Sequence, residues 1–202
     1  MGVRAENLAM RREVILEAAK DVFFEEGYGQ ASMDHIAARA ETTKRTVYAH
    51  FPSKTVLFEA VVDRSCRHVM DRLPTSADMP PDPAEALPRW LAQSTEVLGS
   101  PGCVKLNRLV ASEAERHPQF AARLAAAYTE GEARLADYLA STVSDGRLAR
   151  HDTALAARIL SDAVARAACQ RSLLAPEAGD SLADQRAAAE LARMFLAAHR
   201  PA

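Results

Sequence analysis

SMDHIAARAETTKRTVYAHFPSK, residues 32–54, is the stretch whose reading decides the fold. It reads as two short helices joined by a tight turn. Ser32 is a natural N-cap for the first, in which Met33, Ile36, Ala37 and Ala40 recur at the spacing of one inward face. Thr43 is the N-cap candidate of the second, which ends near His50. That second helix carries Lys44, Arg45, Thr46, Tyr48 and His50 within about two turns. This is the layout of a helix-turn-helix, whose second helix enters the DNA major groove.

Outward from this motif the pattern stays helical. Upstream, Ile15, Ala18, Ala19, Val22 and Phe23 follow the i, i+3, i+4, i+7, i+8 spacing, predicting a helix over about 10–26. Residues 1–9 read as a loose arm, and Gly27 as the C′ residue that ends the helix. Downstream, Pro52 and Ser53 open a helix whose Leu57, Ala60 and Val61 point inward. Four prolines between 73 and 83 (Pro74, Pro80, Pro81, Pro83) mark a linker. They divide the chain into a reading head, residues 1–72, and a larger part, residues 73–202. Five helices are expected there: about 83–98, 103–116, 118 to Asp145-Gly146, 152–174 and 181–199. The third keeps Phe120, Leu124, Ala127, Tyr128, Gly131, Leu135, Tyr138 and Leu139 in helical register. The expected fold is therefore all-α, with about nine helices, and the abundance of alanine agrees with it.

Of the 202 residues, 49% are hydrophobic and 26% charged, as in a globular domain. The net charge of −2 excludes a uniformly basic nucleic-acid binder. In residues 1–72, eleven Lys or Arg face eleven Asp or Glu. The sign turns positive only between 30 and 54, where Arg39, Lys44, Arg45 and Lys54 outnumber Asp34 and Glu41. DNA binding must then come from a focused patch. Cys66, Cys103 and Cys169 lie far apart and read as reduced structural thiols, with a redox sensor as the sharper alternative. There is no signal-peptide pattern and no run of about 18 apolar residues, so a cytoplasmic protein without membrane contact is expected. No cofactor motif and no metal-ligand spacing is present. A hydrolase or metal-dependent enzyme would need HExxH, GxSxG, a Gly-rich phosphate loop or a Cys/His cluster, and the chain lacks all of them. Glu113 and His117, four apart on a predicted helix, read as a surface pair rather than a metal site. An interaction module keeping a vestigial helix-turn-helix is the other rival reading.

RREVILEAAKDVFFEEGYGQAS (11–32) and MDHIAARAETTKRTVYAHFPSKTVLFEAVV (33–62) together resemble the DNA-binding region of the TetR family of bacterial regulators. The resemblance rests on the amphipathic first helix, the Gly27-Tyr28 turn, and Thr46-Val47-Tyr48-x-His50-Phe51 before Ser53-Lys54. ASEAERHPQFAARLAAAYTEGEARLADYL (111–139) is similar to the C-terminal domain of the AefR-like branch. The resemblance implies a homodimeric, ligand-responsive repressor acting on an operator in double-stranded DNA. It also implies that Thr43, Tyr48, His50 and Lys54 bind phosphates. One departure stands out. The family usually has Gly at the position of Glu41 and an apolar residue at that of Thr42. A non-Gly residue at positive φ costs roughly 1–2 kcal/mol, so a strained turn is expected.

Phosphate contacts fix position and base-edge contacts give preference. Lys44 and Arg45, in the first turn of the second helix, are the base-reading candidates, able to donate to guanine O6 and N7. Thr46 suits a thymine methyl or a phosphate, and Tyr48 and His50 suit phosphates. Lys54 starts a helix whose N–H groups and dipole favour an anion. With Ser32 and Thr43 these residues form the candidate DNA-binding set. His35 is expected to face solvent. One short helix reads too few bases, so a two-fold dimer on a palindrome is expected, with half-sites ~34–36 Å apart. Its interface candidates are Ala156, Ile159, Leu160, Ala163 and Ala167, with Ala187, Ala188, Leu191, Met194, Phe195 and Ala198. A small-molecule effector is expected among Trp90, Gln93, Ser94, Leu106, Asn107, Val110, Tyr128 and Cys169, although each of these also suits plain core packing.

Overall fold

Ser32 and Thr43 both cap a helix. In the computed structural model, which describes the backbone of residues 2–166 and 181–201 and the side chains of residues 6–166 and 183–201, Ser32 Oγ accepts from the His35 N–H at 3.1 Å and Thr43 Oγ1 from the Thr46 N–H at 3.2 Å. The described residues form nine α-helices and no strand: α1 (Gly2–Gln30), α2 (Met33–Arg39), α3 (Lys44–His50), α4 (Lys54–Met70), α5 (Pro83–Leu98), α6 (Pro101–Glu113), α7 (Pro118–Ser144), α8 (Thr153–Ala165) and α9 (Ser181–Ala198). The all-α reading therefore holds.

Where helices end, the chain shows the expected chemistry. Gly27 breaks α1 with φ 79° and ψ 164°, a conformation open to glycine alone at little cost. Ser53 Oγ accepts from the Val56 N–H at 3.1 Å and starts α4. Asp82 and Asp152 cap α5 and α8 in the same manner. Gly146 follows α7 with φ 71°.

Several boundaries differ from expectation. The arm expected over 1–9 is helical from Gly2 onward. No Gly or Pro interrupts residues 3–26, and Ala, Leu, Met, Glu and Arg dominate there; residues 6–9 are exposed, so intrinsic propensity is what extends the helix through them. The proline-rich linker contains a short 3₁₀ turn, Ser76–Asp78, in which Asp78 accepts from the Thr75 N–H and hydroxyl. It also buries Met79. α6 starts at Pro101, with proline in the first turn where its missing N–H costs nothing. It ends at Glu113, so His117 lies beyond the helix and the two do not share a helical face.

The chain divides into two compact units, Met1–Cys66 with Lys105–Leu124, and Arg67–Val104 with Ala125–Ala202. The first has an aromatic core. Phe58 packs edge-on against Phe23 at 4.9 Å, Phe120 at 4.5 Å and Tyr28 at 5.0 Å. Such pairs add about 0.5–1.5 kcal/mol each beyond their buried area. Ile15, Ile36, Val47 and Leu57 are completely buried beside them in this unit. Arg123 bridges Asp63 at 2.6 Å and Glu59 at 2.9 Å on α4. The second unit centres on Leu87, Trp90, Leu91, Leu135, Leu139, Leu160 and Ala192. Within it α5 packs on α8 and α9. The His151 and His199 rings, 4.3 Å apart, close the ends of α8 and α9.

Candidate nucleic-acid interface

The turn between α2 and α3 is a Schellman motif. The Thr42 N–H donates to Ala37 O at 2.9 Å and the Glu41 N–H to Ala38 O at 3.1 Å. Glu41 occupies the left-handed position with φ 49°, the only positive φ outside glycine among the described residues. The strained turn expected from the missing glycine is present.

On α3, the 100° advance per residue sorts the side chains into two arcs. Lys44, Arg45, Tyr48 and Ala49 share one exposed arc, with Tyr48 43% exposed. Val47 points the opposite way and is completely buried. Thr46 and His50 lie between these arcs and are half-buried. Thr46 Oγ1 is 2.9 Å from Thr43 Oγ1. The structure thus brings together Lys44, Arg45 and Tyr48 on one arc, with Thr43 at the cap beside Thr46. Sequence reading passed over Ala49, which a wheel drawn around Val47 would have placed on the same arc.

The cations of the head are not equivalent. Lys44 Nζ donates to Asp34 Oδ2 at 2.8 Å, and this bond holds the Lys44 pKa above its usual value. Arg39 donates to both carboxylate oxygens of Glu25, at 2.7 and 3.1 Å. That bidentate pair raises the Arg39 pKa and lowers that of Glu25. Lys54 Nζ is turned inward. It donates to the carbonyls of Tyr28 at 2.8 Å, Ala31 at 3.0 Å and Gly29 at 3.3 Å, and lies 4.6 Å from the centre of the Tyr28 ring. Its ammonium therefore closes the end of α1. Arg45 makes no ion pair among the described residues and is exposed. His35 faces solvent, its Nδ1 3.2 Å from Glu26. Ser32 is half-buried and engaged in its cap.

The other predicted sets are scattered. Trp90 and Ser94 are buried in the second unit, and Tyr128 packs against the same core. Gln93 donates to Arg72 O at 2.7 Å and lines an open cleft of about 580 Å³ with Asp71, Arg72, Arg89, Glu96 and Gln185. Leu106 and Val110 are buried in the first unit, and Asn107 is half-buried there. Cys169 and Ala167 lie outside the described residues. Of the interface candidates, Ala156, Leu160 and Ala188 are buried within the second unit, while Leu191 and Phe195 pack partly against its core. Ile159 (57% exposed), Met194 (58%), Ala163, Ala187 and Ala198 face outward, as does Leu155 (54%), which sequence reading missed. Cys66 and Cys103 are buried. Burial pushes the Cys66 thiol up to about 11, the wrong direction for a reactive thiolate. Among the described residues no group of three His, Cys, Asp or Glu side chains gathers as a metal site, and no helix is long and apolar enough to cross a membrane.

Comparison with known proteins agrees with this geometry. Residues 15–61 match the family model described as bacterial regulatory proteins, tetR family. Residues 85–201 match that of the AefR-like transcriptional repressor, C-terminal domain. The HTH-type transcriptional activator FasR of Mycolicibacterium smegmatis is 48% identical over 54 residues, covering 27% of this chain and 25% of FasR. The aligned stretch thus spans only about a quarter of that curated relative. A TetR-family transcriptional regulator from Mesorhizobium loti superposes with a TM-score of 0.84 at 25% identity, over 96% of this chain and 98% of the other. The flavonoid-responsive regulator FrrA superposes with a TM-score of 0.79 at 26% identity, over the same shares.

Proposed function

We propose, since the chain belongs to the TetR family of bacterial regulatory proteins, that this DNA-binding transcriptional regulator is a ligand-responsive repressor that holds a palindromic operator as a homodimer. The reading head is residues 1–72 and the ligand-binding and dimerisation part residues 73–202. The observation that carries the DNA reading is the arc of Lys44, Arg45, Tyr48 and Ala49 on a helix capped at its start by Thr43 and anchored from behind by Val47. Arg45 and Lys44 read base edges, Ala49 and Thr46 offer methyl groups to thymine, and Tyr48, Thr43 and His50 hold phosphates. Ser32 and Lys54 act indirectly, by fixing the helices that present those groups.

The outward apolar stripe of Leu155, Ile159, Ala163, Ala187, Met194 and Ala198 supports the homodimer, since a chain that stayed single would leave it in water. A small organic effector in the second part shifts the equilibrium between operator-bound and released states. Tenfold release requires ~1.4 kcal/mol of differential affinity. The structural neighbour FrrA responds to flavonoids, which supports this class of effector. Repression is favoured by the similarity of residues 85–201 to the C-terminal domain of AefR-like repressors, and the activator FasR supplies the second reading, activation from the same operator contact. Either way the protein works in the cytoplasm, beside its DNA.

Substitution on the arc tests the assignment. Arg45→Ala should change which base is preferred at one position of each half-site, by about 1–3 kcal/mol. Tyr48→Ala should weaken all sequences alike. Equal losses on every sequence for Arg45→Ala would remove its base-reading role.

A further inference from the structure

Each cation around the α2–α3 turn except Arg45 already has an acceptor inside the head. The Lys44–Asp34 pair differs from the others because Lys44 lies on the exposed arc of α3. Asp34 stands in the first turn of α2 and Lys44 in the first turn of α3, so their 2.8 Å bond spans the two helices of the motif. Both side chains are more than half exposed, so the bond is not a by-product of burial. A lysine ammonium has three donors, and Asp34 takes one of them. Two remain, enough to bridge O6 and N7 of one guanine.

We propose that Asp34 is a positioning residue: it holds the Lys44 ammonium against α2, aimed at base edges, and keeps it off the phosphate backbone. This rests on the reading that α3 enters the major groove. A lysine without such a tether is a flexible point charge that settles on phosphate. Phosphate contacts dominate non-specific binding and set its dependence on salt. A tethered Lys44 therefore adds little on random DNA and contributes at the operator, where its base lies in register. The raised Lys44 pKa agrees with the tether, since the ammonium form is the one Asp34 holds.

The test compares the full chain with Asp34→Asn, Asp34→Glu, Lys44→Ala and the Asp34→Asn/Lys44→Ala double variant. Fluorescence anisotropy would follow an operator recovered by selection, its single-base variants and a random duplex, across about 50–200 mM salt. For Asp34→Asn, affinity for random DNA should rise a few-fold, and the slope of log K against log salt should steepen by about 0.9, one added phosphate contact. Preference at one base position should relax by about fivefold or more. Asp34→Glu should restore both slope and preference. The gain on random DNA should vanish when Lys44 is also alanine. An unchanged slope with intact base preference in Asp34→Asn would overturn the proposal, as would a gain that persists without Lys44, since that would be a net-charge effect. In these cases the native chain still selects an operator and the reading of α3 stands. A native chain that selects no duplex would overturn both.

Discussion

Glu41 concentrates the strain of the reading head in one residue. Its φ of 49° serves the Schellman turn, and the motif forms because Thr43, Val47 and Ile36 fix both helices around it. Glu41→Gly should relieve the left-handed penalty while adding chain entropy to the unfolded state. The net gain is about 0.5–1 kcal/mol. That corresponds to a rise of about 1–4 °C in thermal midpoint by calorimetry. A lower midpoint would mean that the Glu41 side chain contributes more than its backbone costs. Lys54 is the opposite case, a residue whose type was legible and whose direction was not. Sequence places it at a helix start, where it suits phosphate; three carbonyls at the end of α1 take its ammonium instead. Nothing in a linear reading shows those carbonyls converging, because they are brought near by the break at Gly27. Lys54→Met should cost about 1–3 kcal/mol of stability in urea unfolding without DNA, because it strips donors from partly buried acceptors. Unchanged stability with lost DNA affinity would return Lys54 to the phosphate contacts.

At the scale of elements, helices with a buried face were legible and those without one were not. α5 shows the first kind. Leu87, Trp90, Leu91, Ser94 and Leu98 recur at helical spacing and all are buried. The segment from Glu6 to Ala9 shows the second. Its side chains are all exposed, so a reading based on apolar periodicity gives no sign that it is helical. The start and end of α6 were displaced for a related reason, since proline opens a helix as readily as it breaks one. Gly131 in the middle of α7 gives an element-level test. A Cβ there would meet Leu73 Cδ1 at 3.6 Å and Met70 Cε at 3.9 Å, ordinary packing distances. Gly131→Ala should therefore gain about 0.8–1 kcal/mol from helix propensity, seen as a higher urea midpoint with unchanged slope. A loss would show that α7 needs its glycine for closer packing than these distances indicate.

At the scale of the whole molecule, the interface candidates were legible as apolar positions but not as inward or outward ones. In α8 and α9 both sides are apolar, so periodicity alone does not separate Leu160, buried in the core, from Ile159, which faces water. The substitution that tests dimerisation must use the outward side. Leu191 packs partly against the core, so an aspartate there would mix folding with association. Ile159→Asp avoids this. Sedimentation should show monomers with native helical content and operator affinity lowered by at least about tenfold; a fully dimeric variant would move the interface elsewhere. The claim on which everything else depends is that two copies of α3 read neighbouring major grooves of one duplex. Selection of bound sequences from a random DNA pool, using the purified chain at low salt, tests it most directly. The expected result is an inverted repeat with half-site centres about one helical turn apart, ~34–36 Å. Recovery of no enriched sequence, or of a single unrepeated site, would contradict it.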